Sequence, residues 1–100
     1  MLFLACSPNF DHKRADEILL KSEISEAEYS ELLKLYEIGM DDSLKIAKEE
    51  DQDISKSQRD EMITMFAIAK RLMIDRDKLT DSQVRDFDRI TNKGKEGLEI

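Results

Sequence analysis

Residues 24–48 read ISEAEYSELLKLYEIGMDDSLKIAK, and their spacing decides the fold class. Tyr29, Leu32, Leu33, Tyr36, Met40, Leu44 and Ala47 recur at three- and four-residue intervals. That period holds one apolar face in line through about five turns of an α-helix. Ser25 and Glu28 have the spacing of a capping box, and Ile24 stands where a hydrophobic staple would. A helix opening at Ser25 is therefore predicted. Leu35, Ile38 and Ile46 widen its apolar face, so the helix should touch two neighbours. Gly39 costs roughly 1 kcal/mol against Ala in a helix interior, which points to a bend or to close approach by a neighbour.

The flanking sequence supplies those neighbours. Upstream, Asp11 can cap a short helix carrying Ala15, Ile18 and Leu19 on one side and ending near Lys21 or Ser22. Downstream, KEEDQDISKS at 48–57 reads as a polar turn, and Ser57 with Asp60 forms a second capping box. The helix opening there has Met62, Met65, Phe66, Ala69, Leu72 and Met73 as its expected buried stripe. Thr80 or Asp81 then caps a fourth, shorter helix with Val84, Phe87 and Ile90 turned inward, and Asn92-Lys93-Gly94 reads as its stop. Two long helices joined by a short turn should lie antiparallel. The expected fold is all-α, a small three- to four-helix bundle built on a long antiparallel pair. The bundle should occupy residues 12–93, with a flexible tether at 7–11 and a loose tail at 94–100.

Composition agrees with that class. Leu, Ile, Val and Phe number 26 in 100 residues, above the roughly 20% below which chains tend to stay unfolded. One Pro, three Gly and one Val leave few breakers and little β-preference. A net charge of −7 argues against nucleic acid as a partner, because phosphate contacts need clustered cations.

The chain begins MLFLACSPNF. Leu2, Phe3, Leu4 and Ala5 run directly into Cys6, the single cysteine, and Ser7-Pro8-Asn9 follow. The stretch FLAC resembles the lipobox of bacterial lipoproteins. The resemblance covers about six residues, and Ala5 is the small residue it requires before the cysteine. It implies that residues 1–6 close a signal segment and that Cys6 is lipidated on sulfur, becoming the mature N-terminus. With no second cysteine in the chain, an internal disulfide is excluded. Acyl chains would anchor the protein, at about 0.8 kcal/mol per buried methylene.

Chemistry is sparse. Asp51, Asp53 and Ser55 mimic the start of a calcium loop, but Lys56 falls where Gly is needed and Met62 where the bidentate Glu belongs. Cys6 and His12 are too few for zinc, and as a nucleophile–base pair they lie in a tether that holds no geometry. His12 is expected at the surface, and Met40, Met62, Met65 and Met73 are expected to fill the core. No catalytic residue, metal ligand or cofactor is expected.

Two function classes follow. One is a small cell-envelope lipoprotein, periplasmic or at the surface, whose helical body binds a protein partner. The other is a cytoplasmic acidic inhibitor or regulator presenting Glu23, Glu26, Glu28, Glu31 and Glu37, although Lys21, Lys34, Lys45 and Lys48 interrupt that surface. The widened face of the second helix would also serve a homodimer.

Overall fold

A computed structural model describes residues 10–48 and 53–98. Among these residues there are four helices, α1 (His12–Leu19), α2 (Glu26–Lys48), α3 (Lys56–Ile74) and α4 (Asp81–Leu98), with one 3-10 turn at Arg76–Lys78. Each helix begins where a side chain can satisfy its first free amides. The Asp11 carboxylate accepts from Arg14 N at 3.0 Å. Ser25 and Glu28 form the expected capping box, Glu28 N donating to Ser25 Oγ and Ser25 N to Glu28 Oε1. Thr80 and Gln83 form another at the start of α4.

The start of α3 differs from the sequence reading. Its cap is Ser55, whose Oγ accepts from Gln58 N at 3.1 Å while Gln58 Oε1 accepts from Ser55 N at 2.8 Å. Gln serves as well as an acid at the third position of a capping box. Opening two residues earlier also places Lys56 and Asp60 four apart on the helix, where they pair at 2.9 Å.

Cross-helix bonds fix the topology. Arg14 meets Glu31 and Lys21 meets Glu28, so α1 runs antiparallel to α2. Tyr29 bonds Asp75 while Ser43 reaches Met65, so α3 also runs antiparallel to α2. Along α4, Gln83 bonds Ser30, Thr91 bonds Tyr36 and Lys93 bonds Asp41. Both numberings rise together, so α4 lies parallel to α2. The order is up-down-up-down with α2 in the middle, α1 and α3 on one side of it and α4 on the other. At 21 Å, the shortest dimension is about two helix diameters.

Apolar faces meet at α2. Ile18, Leu32, Met65, Ile68, Leu72 and Ile90 are the largest fully buried side chains, each worth about 1.5–3 kcal/mol of burial. Phe10, expected in the tether, belongs to this core. It lies against Gly39, where an added Cβ would come within 3.2 Å of its ring and 3.0 Å of Met65. Gly39 is thus the site of close approach that its position in α2 suggested.

Two further expectations are corrected. The buried stripe of α3 is Met65, Ile68 and Leu72, while Phe66 and Met73 point outward. Nor does α4 stop at Asn92-Lys93-Gly94, for it continues to Leu98 and is nearly as long as α3. Gly94 marks a contact and not a stop: a Cβ there would stand 2.6 Å from Met40 Cε, and one at Gly97 would strike Leu44. The tail expected from residue 94 is helical through Leu98.

Candidate interaction surface

On α3 the buried side carries Met65, Ile68 and Leu72, and the opposite side is also apolar. Ile63, Phe66, Met73 and Ile74 are 66%, 58%, 66% and 65% exposed. With Lys70 between them, they lie along one outward strip of three turns. The cause is the topology. A helix apolar all round needs neighbours on both sides, and α4, which follows α3 in the chain, packs on the far side of α2. The strip is left uncovered within the described fold.

The position of α3 is fixed by a buried polar knot at its C-terminal end. Asp75 is 5% exposed. Its Oδ2 accepts from Tyr29 Oη and from Arg71 Nε, both at 2.7 Å. Arg71 reaches on to the carbonyls of Leu19, at the end of α1, and Ser22, in the turn that follows. Burial opposes the charge on Asp75, but the bonds from Arg71 and Tyr29 outweigh it and hold the carboxyl below its ordinary range. Burial, with Asp75 beside it, pushes the Tyr29 phenol up to about 12. Asp75 ties α2 to α3 and Arg71 extends the tie to the end of α1 and the turn after it, so the outward strip has a rigid backing.

At the other end of α3, two acids face each other. Glu61 stands beside Asp42 of α2, and its Oε2 is buried with no partner of its own. Burial, and then the hydrogen bond with Asp42, pushes the Glu61 carboxyl up to about 8. Glu61 therefore keeps its proton at neutral pH.

A shallow open cleft of about 700 Å³ lies between α1 and the start of α3, lined by His12, Asp16, Lys56, Ser57, Asp60, Ile63 and Thr64. Its cation and one acid are already paired, Lys56 with Asp60. The His12 ring meets Phe10 edge-on at 4.9 Å, and its Nδ1 is 3.5 Å from Thr64 Oγ1. These contacts hold the ring against the fold, half-buried and not fully at the surface.

Other residues singled out by the sequence are accounted for individually. Cys6 and Asp51 lie outside the described residues. Ser55 is committed to the cap of α3, and among the described residues no three His, Cys, Asp or Glu side chains gather as a metal site would need. Met40 and Met65 fill the core as expected, whereas Met73 does not. The widened face of α2 is occupied by α1, α3 and α4, so it is not the free face. Three of the five carboxylates considered for an acidic surface are engaged: Glu28 with Lys21, Glu31 with Arg14, and Glu37 with both Arg89 and Lys93. The bonds from Arg89 and Lys93 bring Glu37 down to about 2.

The outward strip was missed because α3 carries apolar residues on every side, and the choice of stripe was off by about one residue's rotation. Its signal was nonetheless present, as Arg59, Ile63, Phe66, Lys70 and Met73 alternate at intervals of four and three. No helix among the described residues is long and apolar enough to cross a membrane. No protein-family model, no curated protein and no solved structure matches this chain.

Proposed function

We propose that this chain is a lipid-tethered interaction module of the bacterial cell envelope. In this reading Cys6 carries the acyl chains, and the bundle presents the outward face of α3 to a protein partner. The observation that carries the reading is that face: four large apolar side chains exposed in one strip on a firmly held helix. Contiguous exposed apolar patches of a few hundred Å² on small proteins commonly mark interaction sites. The FLAC stretch supports the tether, and Phe10, the first described residue, lies four residues beyond Cys6. A module of this kind needs no catalytic residues, and the reading assigns none. The acidic-inhibitor alternative draws less support, because Glu28, Glu31 and Glu37 are occupied by cations of the same chain.

The test is the intact mass of the protein recovered from membranes of its native host, beside a Cys6→Ala control. The reading expects a mature species beginning at Cys6 and carrying acyl chains, lost in the control. An unmodified chain beginning at Met1 in the soluble fraction would refute the tether.

A further inference from the structure

We propose that the occupant of the α3 strip is a second copy of this chain, the two α3 helices packing antiparallel about a two-fold axis. This rests on the reading of α3 as the docking surface and names its partner.

The first argument is spacing. Arg59, Ile63, Phe66, Lys70 and Met73 follow a four-three repeat, the pattern of a seam between two helices. Ile63, Phe66 and Met73 on that seam are all more than half exposed.

The second argument is charge. In an antiparallel register centred opposite Ile68, Ile63 meets the partner's Met73 and Phe66 meets the partner's Lys70. An ammonium over a phenyl face is attractive. The same spacing continues to Asp77, which is exposed on the 3-10 turn after α3. In this register Arg59 of one copy is set against the turn that carries the partner's Asp77, and neither side chain is in an ion pair among the described residues. A parallel register would instead oppose Lys70 to Lys70 and Arg59 to Arg59. The seam is self-complementary in one direction only.

The third argument is area. Four side chains of this size, about two-thirds exposed, offer roughly 500 Å² per copy, at the upper end of single patches on monomers. A standard interface buries about 800 Å² per partner. The pair is therefore weak and reversible, and its formation is governed by concentration. Each copy carries −7, so long-range repulsion opposes association and added salt tightens it. Docking on an anionic surface through Arg59 and Lys70 would have the opposite salt dependence.

Sedimentation equilibrium of the reduced full chain, from about 10 µM to about 1 mM, tests this directly. The mass should climb from 11.6 kDa toward twice that value and climb further at higher salt. Phe66→Ser and Arg59→Asp should each weaken association about tenfold. The double variant Arg59→Asp/Asp77→Arg should restore it, which a general loss of stability would not do. A monomer at every concentration, or no restoration by the charge swap, overturns the proposal. A photo-crosslinking residue at position 66 in the native host then separates this proposal from the reading beneath it. A product of twice the mass joined near Lys70 supports the second copy. A product with a different protein overturns the second copy and leaves α3 as a docking surface, while no product overturns both.

Discussion

Phe66 and Ile68 stand two residues apart on α3 and face opposite sides of it, Ile68 at 0% exposure in the core and Phe66 at 58% in solvent. An α-helix turns about 200° over two residues, so one of the pair must face away from α2. The fold places the smaller side chain inside and the larger, aromatic one outside. Burial alone would favour the reverse, and the position of α2 and α1 against Ile68 decides it.

Substitutions at these two sites should separate stability from association. Ile68→Ala should cost about 2–5 kcal/mol in urea unfolding, since it opens a cavity among Met65, Leu72 and their neighbours. Phe66→Ser should change the stability of the monomer by no more than about 0.5 kcal/mol at low concentration. Comparable losses at both sites would show that Phe66 is packed and not exposed.

The Asp42–Glu61 pair makes stability depend on pH. Glu61 binds its proton up to about pH 8 in the folded chain and releases it near its ordinary value of 4.5 when unfolded. Between those limits the folded state holds more protons, so this pair lowers stability as pH rises. Glu28 and Glu37 act in the other direction. Both titrate near 2 when folded, so their contribution is present above about 4.5 and is lost as pH falls toward 2. The melting temperature should therefore peak near pH 4.5–5. Glu61→Gln removes the alkaline limb and should stabilise the protein at pH 8, by about 1 kcal/mol given solvent screening of a partly wetted pair. A melting curve at pH 8 unchanged by Glu61→Gln would contradict a Glu61 carboxyl held well above its ordinary range.

At the opposite end of α3, Asp75 is the single carboxylate on which Tyr29 and Arg71 converge. Asp75→Ala should cost about 3–5 kcal/mol, because it leaves a cation and a phenol without their buried partner. Tyr29→Phe removes only one hydroxyl and should cost about 1–2 kcal/mol. Equilibrium denaturation of both variants checks the order.

Gly94→Ala tests the packing of α4 on α2. Helix propensity alone predicts a gain of about 1 kcal/mol. The structure predicts a loss of about 1–3 kcal/mol, because the new methyl displaces Met40. The sign of the change, measured by thermal melts, decides between them.

Local signals were legible in the sequence and distant ones were not. Asp11, Ser25–Glu28 and the pair Thr80 or Asp81 announced three helix starts, the last made by Thr80, because a cap is made by residues within one turn. Gly39 announced a bend or a close approach, and the Phe10 ring and Met65 side chain beside it make it the second. Gly94 carried the opposite appearance, since its role depends on Met40, more than fifty residues away. The rotation of α3 was illegible for a similar reason. Apolar residues surround that helix, and which side becomes core depends on α4 choosing the far side of α2. The candidate surface exists only as a consequence of that choice.

The most direct test of the account is a dilution series of amide spectra of the labelled, reduced chain. The account predicts concentration-dependent shifts confined to the outward strip and its two charged ends, at Arg59, Ile63, Phe66, Lys70, Met73, Asp77 and their immediate neighbours. Spectra that do not change with concentration, or changes centred on α4 or on the cleft beside His12, would contradict it.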